Sequence, residues 1–286
     1  MEWISKSNIV VVGLGLIGGS YAKALKRMGY YVAAIDTNRE SIDFAIEEGI
    51  IDCGSTSVDE DIVSNADCII LALYPSIITE WVKNNQSLFK SGIRITDVTG
   101  IKSSVVYDIQ SILRDDVEFI AAHPMAGREV YGVRNSDDKI FRGANFIVVP
   151  TEKNTDEAIE WCARLGRILG FNKIAVLTPE EHDKMIAYVS QLTHCIAVAL
   201  MTANDNANLR DYTGDSFRDL TRIAKINEDM WTELFFMNKE PLLAEMDRFI
   251  EEIQTIRELI STENGEKLKK KMRLSTKRRA LFDNKR

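Results

Sequence analysis

The sequence predicts an α/β chain, a doubly wound parallel sheet followed by an all-helical segment, and three observations predict it. Apolar β-type runs alternate with helical stretches, a glycine-rich turn joins the first run to a helix, and strand signals stop after Thr178. Alternation of this kind implies parallel strands with helices on both faces. The runs are Ile9 to Val12, Tyr31 to Ile35, Cys68 to Leu73, Ile93 to Thr96, Phe119 to Ala122, Phe146 to Val149 and Lys173 to Leu177. Pro75, Pro124 and Pro150 are each expected just after a strand, where they open loops without breaking a ladder. In such sheets ligands gather beyond the strand C-termini, so the residues that follow these runs are the ones to inspect for chemistry.

The first run specifies a cofactor. Gly13, Gly15 and Gly18 follow Ile9 to Val12 as G-x-G-x-x-G. The first glycine permits the tight turn, the second lets backbone approach a pyrophosphate, and the third lets the helix sit close to the strand. Asp36 ends the second run, 18 residues after Gly18, where a carboxylate accepts hydrogen bonds from ribose hydroxyls and repels a 2′-phosphate. NAD is therefore expected rather than NADP, in a Rossmann-type domain. Leu16 and Ile17 in the turn and Leu73 at the end of the third run are expected to complete the apolar wall of the cofactor site. A signal peptide is the competing reading, since Lys6 precedes an apolar stretch and Ala22-Lys-Ala24 resembles a cleavage site. Glycines interrupt that stretch, and an acid closes the next run at the cofactor-binding distance.

Beyond His182 the periodicity is helical. Met185, Val189, Leu192 and Ile196 are spaced as one apolar stripe, on a helix begun by Thr178 with Pro179 at its first position. Helical character continues through Met230 to Asn238 and Leu242 to Ile260. The expected division is a nucleotide-binding domain over 1–178 and a helical substrate and dimerisation domain over 179–286. A small helical domain with long apolar stripes commonly completes its core by pairing with a second copy, so a homodimer is expected.

Composition bounds the rest. The chain has 286 residues, 45% of them hydrophobic, and a formal net charge of −7. That balance argues against a general nucleic-acid partner, although 267–286 is locally basic and reads as a solvated helix face. No uninterrupted apolar run reaches the roughly 18 residues of a membrane span, so no membrane partner is expected and the location is read as cytoplasmic. Cys53, Cys68, Cys162 and Cys195 lack metal-ligand spacing and are expected as reduced thiols with no metal.

Three histidines carry the candidate chemistry. His123 follows Phe119 to Ala122 and precedes Pro124-Met-Ala-Gly-Arg-Glu129, at a strand end with a glycine-bearing loop. It fits two readings: an acceptor for a hydroxyl proton while hydride leaves the same carbon, or a hydrogen-bonded loop histidine. His194 stands in an apolar helix with Ser190 one turn earlier on the same side, a setting that suits a structural histidine as well as a functional one. His182, in a charged first turn, reads as structure at the domain boundary. Arg218 and Arg222 flank Asp219, so one guanidinium can hold an acidic substrate while the other pairs with Asp219. A surface ion-pair network fits the same spacing. Thr96 to Lys102 closes a strand with a polar turn, whose plain reading is a helix start with Lys102 in solvent.

Taken together, Gly13 to Ser20, Thr96 to Lys102, His123 to Gly127, Ser190-x-Leu-x-His194, Phe217 to Ala224 and Met230-Trp231 with Asn238 resemble the prephenate dehydrogenase family, which includes arogenate dehydrogenases. The resemblance runs from about Asn8 to Ile260. It implies that His123 accepts the substrate hydroxyl proton, that His194 lines the substrate pocket, and that Arg222 holds a substrate carboxylate. It further implies a Rossmann domain joined to a helical dimerisation domain and NAD-dependent oxidative decarboxylation of prephenate to 4-hydroxyphenylpyruvate. Glu129, Ser190 and Arg218 are the remaining expected substrate contacts, and Glu129 can recognise the ammonium of arogenate, the alternative substrate.

Two positions depart from the commoner family pattern. Thr99-Gly-Ile-Lys102 stands where many relatives have Gly-Ser-Val-Lys, with the serine hydroxyl near nicotinamide and substrate, so Thr99, expected as a cofactor contact, or a water is expected to replace the hydroxyl that Gly100 lacks. Gln191 stands where many have a further histidine. Other classes considered are a β-hydroxyacid dehydrogenase, which needs a catalytic lysine where the helix after Pro179 offers only Lys184, and a non-catalytic NAD-binding sensor. The sensor reading leaves His123, His194 and Arg222 without a shared purpose.

Overall fold

The structure, a computed structural model, describes Trp3 and residues 7–283. Lys6, which figured in the signal-peptide reading, and the last three residues of the basic terminus lie outside that range. Elements in the first 176 residues are β1 (Asn8–Val12), α1 (Leu16–Arg27), β2 (Tyr31–Ile35), α2 (Arg39–Glu47), β3 (Cys53–Ser55), α3 (Glu60–Ser64), β4 (Cys68–Leu71), α4 (Pro75–Asn85), β5 (Arg94–Asp97), α5 (Ser103–Ile112), β6 (Glu118–Phe119), β7 (Ala121–Met125), β8 (Asn145–Val149), α6 (Asp156–Leu169) and β9 (Lys173–Val176). Six strands form one parallel sheet in the order β3-β2-β1-β4-β5-β6. The order reverses between β1 and β4, which opens a crevice above their C-terminal ends.

These strands are apolar on both faces because both are covered. Ile9, Val11, Val32, Ala34 and Ile70 enter one buried cluster, while Val10, Val12, Ala33, Ile35, Ile69 and Leu71 enter the other. Successive residues point to opposite faces, so a continuous run of Val and Ile fills both cores at once.

Two features correct the expectation of one parallel sheet. The run Phe119 to Ala122 is split between β6 and β7, and β7 leaves the large sheet to pair antiparallel with β8, which pairs parallel with β9. Pro124 lies inside β7, opposite Phe146, rather than after a strand. It is tolerated because β7 is the edge of its three-stranded sheet, where a missing N–H breaks no inner ladder. The short strand β3, with a glycine at its centre, gave no periodic signal.

The helical continuation is α7 (Pro179–Ile186), a π-helical turn (Ala187–Gln191), α8 (Leu192–Thr202), α9 (Asp215–Thr221), a 3₁₀ turn (Arg222–Ala224) and α10 (Glu228–Met237). Thr178 caps α7 in a reciprocal capping box with Glu181. Met185 and Val189 are exposed whereas Leu192 is buried, so the four-residue stripe does not share one face. The π turn is the cause: its wider winding rotates α8 relative to α7 and breaks the 3.6-residue period. Together Pro179–Thr202 is 24 residues long and, among the described residues, the one helix long and apolar enough to cross a membrane, although few of its residues are buried.

Chain contacts divide the molecule into compact units over 1–238 and 239–286. The second unit is a helical hairpin of α11 (Lys239–Ser261) and α12 (Gly265–Arg279), the latter capped by Asn264.

Candidate active site

The glycine turn has the geometry of a phosphate cradle. Gly13 has φ +97°, and a Cβ there would lie 2.3 Å from the Ala72 carbonyl oxygen just after β4, so the turn from β1 into α1 admits no side chain. At Gly18 a Cβ would lie 1.9 Å from the Gly13 oxygen, which keeps α1 tight against the strand. Gly15 is different: nothing lies within 4 Å of the position a Cβ would take. That open space stands at the N-cap of α1, whose first turn has neither an acidic residue nor a side-chain cap. Unsatisfied N–H groups and the helix dipole favour an anion there.

Asp36 ties the turn to the end of β2, accepting hydrogen bonds from the Leu14 N–H at 2.6 Å and the Asn38 N–H at 2.8 Å. Leu16, Ile17 and Leu73 are partly exposed near the turn, with the Leu73 side chain beside Gly13. The residues present fit a dinucleotide: a cradle open to a pyrophosphate, partly exposed apolar side chains, and an acid held against the turn at the end of β2.

His123, in β7, is partly accessible, and its Nδ1 lies 2.8 Å from Nε2 of His182. His182 is fully buried in α7, and its Nδ1 lies 2.8 Å from Oδ1 of Asp183. The Asp183 carboxylate also accepts the backbone N–H groups of Lys102 and Ser103, each at 2.8 Å, at the start of α5. Carboxylate oxygens only accept, so His182 carries its proton on Nδ1 and accepts at Nε2. His123 then donates from Nδ1, which leaves the lone pair on Nε2. This tautomer assignment follows from the hydrogen-bond network.

Electrostatics reinforce the assignment. Burial, with the neighbouring His182 and Lys102, holds the His123 pKa well below the ordinary imidazole value. Burial lowers the His182 pKa too, against the opposing pull of Asp183. For Asp183, burial works to raise the pKa, but hydrogen bonds from His182 and Ser103 outweigh it and hold the group below the usual carboxylate range. The chain is thus neutral imidazole, neutral imidazole, carboxylate.

A second cluster lies across the loop that follows His123. Arg222 forms an ion pair with Glu129, and its side chain keeps 64% of its surface exposed. His194 stacks on Trp231 with ring centroids 3.7 Å apart, and its Nδ1 donates to the Ser190 carbonyl oxygen at 2.8 Å, which leaves Nε2 as an acceptor. Burial lowers its pKa, with Ser190 and Glu129 opposing. Trp231 and Met125, two residues after His123, both pack on the apolar cluster of Ile101, Ile186 and Leu234. The loop after His123 thus carries both Met125, packed on that small core, and Glu129, the partner of Arg222.

Several expected contacts stand elsewhere. Arg218 pairs with Asp215, one turn back on the same helix, rather than with Asp219, and Arg222 reaches Glu129 instead of an intrahelical acid. Thr99 is 4% exposed, and its hydroxyl is engaged with Asp97, the Ile101 carbonyl and Lys102. Lys102, read as solvated, is completely buried with its Nζ 2.6 Å from Asp97 Oδ2. Gln191, in the position of the missing histidine, bridges the Leu234 carbonyl and the Asn238 amide. Sequence reasoning missed His182 and Asp183 as partners of His123. The available signal was a histidine and an acid in the first turn of the helix that leaves the last strand.

Comparison with known proteins agrees with this geometry. Two family models match: prephenate dehydrogenase, nucleotide-binding domain, over residues 21–170, and prephenate dehydrogenase, dimerization domain, over residues 178–274. The prephenate dehydrogenase of Bacillus subtilis is 31% identical over 271 residues, covering 92% of this chain and 72% of that protein. The cyclohexadienyl dehydrogenase of Zymomonas mobilis is 26% identical over 281 residues, covering 95% and 94%. The crystal structure of the Aquifex aeolicus prephenate dehydrogenase, in complex with hydroxyphenyl propionate and NAD+, superposes with a TM-score of 0.88 at 32% identity, covering 96% of this chain and 98% of that one. With a glycine cradle between strand and helix, a hydrogen-bonded His123–His182–Asp183 chain and both halves matched in order, the chain belongs to the prephenate dehydrogenase family.

Proposed function

We propose that the protein, an oxidoreductase of the prephenate and arogenate dehydrogenase family, oxidatively decarboxylates prephenate to 4-hydroxyphenylpyruvate with NAD, in the route to tyrosine. The observation that carries this reading is the His123–His182–Asp183 chain, which leaves His123 Nε2 as a neutral acceptor on a partly accessible side chain. The cradle at Gly13, Gly15 and Gly18 would hold the pyrophosphate, Asp36 the adenosine ribose, and Leu16, Ile17 and Leu73 the apolar faces. When bound, NAD supplies the hydride acceptor.

The chain's own residues do the rest. His123 Nε2 takes the proton of the ring hydroxyl, and the relay disperses the charge it gains toward Asp183. Loss of carbon dioxide from the quaternary carbon is driven by aromatisation of the ring, so the protein mainly needs a placed base and an anion anchor. Arg222 is the anchor, for the carboxylate that stays; gripping the departing one would stabilise the ground state and slow the step. Substrate carboxylate would compete with Glu129 for that guanidinium. His194 Nε2 and the face of Trp231 form the ring-binding wall, with Ser190 holding the imidazole. Arg218 contributes positive potential at the rim. Thr99 acts through the buried Asp97 network, because its hydroxyl is already engaged there.

Arogenate is the second reading, favoured by one observation: Glu129 pairs with Arg222, the proposed anchor, so its carboxylate would be near an ammonium on a substrate held there. Turnover of the two substrates tests the choice; faster NAD reduction with arogenate would reverse it, and none with either would refute the assignment.

We infer a functional boundary near Thr178, supported by the change between the two family descriptions, and a homodimer through the helical half. Exposed Met185, Tyr188, Val189, Leu200 and Met201 on α7, the π turn and α8 form an apolar face suited to a second copy, which also accounts for a long apolar helix that is little buried. A monomer in sedimentation equilibrium would contradict it. Cytoplasmic residence is supported by four unpaired cysteines and tested by fractionation.

A further inference from the structure

We propose that the buried Lys102–Asp97 ion pair is a positioning element for His123, coupling the strand that carries the base to the carboxylate that orients it. The proposal rests on the reading of His123 as the base. Lys102 Nζ lies 2.6 Å from Asp97 Oδ2, and both side chains are 0% exposed. From this pair two arms reach the base. The other oxygen of Asp97, Oδ1, accepts the N–H of Ala122 at 3.2 Å, one residue before His123. The backbone N–H of Lys102 donates to Asp183 Oδ1, the same oxygen that receives the His182 ring proton. Thr99 braces the pair, its N–H 2.9 Å from Asp97 Oδ2 and its hydroxyl oxygen 3.1 Å from Lys102 Nζ.

Fully buried ion pairs are poor sources of stability, because desolvating two charges consumes most of the attraction gained. A pair placed between a base and its orienting acid has a second use. The ends of β5, β7 and α5 converge on it, so a shift of either charge moves His123 and its partner ring together. The charged and titratable groups around the pair and His123 are His182 and Asp183 from α7, Lys102 before α5, Asp97 at the end of β5, Cys162 from α6 and Tyr21 from α1; Glu129, on the following loop, is taken up by Arg222. Of these, the ammonium opposes a proton on His123, so the ring stays neutral and ready to accept.

The chain has only three histidines, which makes ring NMR of the protein without ligands a direct readout. The double variant Asp97→Asn with Lys102→Met removes both charges while leaving neither alone in the core. We expect a folded protein whose His123 titration midpoint moves upward by about one pH unit. The acid limb of kcat/KM should move with it, and kcat should fall roughly 10-fold or more with KM for NAD little changed. Thr99→Val, which keeps both charges and removes one brace, should give smaller changes of the same sign and serves if the double variant does not fold. A lower melting temperature with an unmoved His123 midpoint and an unmoved acid limb would overturn the proposal. Wild-type protein that reduces no NAD with either cyclohexadienol would instead defeat the functional reading, while the NMR titration would still report what the pair does to the ring.

Discussion

Replacing Asp183 by Asn is the perturbation whose consequence the structure determines most fully. The carboxylate accepts three hydrogen bonds, from the N–H groups of Lys102 and Ser103 and from His182 Nδ1, each 2.8 Å long. Oδ1 receives both the Lys102 N–H and the imidazole and Oδ2 receives the Ser103 N–H, so the amide either keeps its oxygen at the first position with its NH2 against the Ser103 N–H, or at the second with its NH2 facing His182 and the Lys102 N–H. Hydrogen bonds to a charged group contribute about 1.5–3 kcal/mol each, so losing the charge and one partner costs about 3 kcal/mol. Most domains have about 5–15 kcal/mol in hand, and the variant is expected to fold. The larger effect is on the tautomers. With the amide oxygen on the Ser103 N–H, its NH2 donates to His182 Nδ1, which moves that ring's proton to Nε2. His182 then donates to His123 Nδ1, and the His123 proton moves to Nε2, where the lone pair is needed. Inverting a catalytic imidazole in this way costs on the order of 1,000- to 10,000-fold in kcat. Initial rates of NADH formation, with calorimetric titration of NAD as the control, measure it. A variant within about threefold of wild-type kcat would refute the relay, since a factor of three is under 1 kcal/mol.

Further predictions follow from the same geometry. Gly15→Val should leave the fold intact yet weaken NAD, because its side chain enters open space; Gly18→Ala should lower the melting temperature, its Cβ being 1.9 Å from the Gly13 oxygen. Equal effects of the two on stability would contradict the cradle. Arg222→Gln should raise KM for the cyclohexadienol by roughly 10- to 100-fold, the worth of a charge-assisted contact, while NAD affinity is unchanged. An unchanged KM would remove Arg222 from the substrate site. The pKa values of His123 and His182 are lowered in the folded state, so below about pH 6.5 the unfolded chain binds more protons and stability rises with pH. The contribution is complete above that value and lost on acidification, so the melting temperature should fall between about pH 7 and 5 and fall less in His123→Asn. Asp183, also lowered, acts below the ordinary carboxylate range and outside this window. Parallel melting curves for the two proteins would count against buried neutral rings.

Much of the fold is legible in the chain because local and long-range demands coincide there. A run such as Ile9 to Val12 must be apolar on both faces to sit mid-sheet, and the glycines after it mark where backbone and ligand meet. His123 is legible only in part: the chain puts it at the end of an apolar run before a glycine-bearing loop, whereas it lies mid-strand in β7, opposite Ile147. What the sequence hides are pairings between distant segments. His182 and His123 are 59 positions apart, and nothing in the local pattern of either says they touch. Lys102 looks solvated because lysine usually is, and only the fold brings Asp97 and the start of α5 around it. The π turn is likewise invisible to a periodicity count, which is why Met185 and Leu192 were expected on one face. Pro124 inside β7 is legible only once β7 is known to be an edge.

The central claim is that His123 is the proton acceptor of a dinucleotide-dependent oxidation. It is tested most directly by His123→Asn, assayed side by side for NADH formation from prephenate and for NAD binding. The account predicts that kcat falls by at least about 1,000-fold, toward the upper range of base contributions, while NAD affinity stays within about twofold. Turnover close to wild type, or loss of NAD binding in step with turnover, would contradict it.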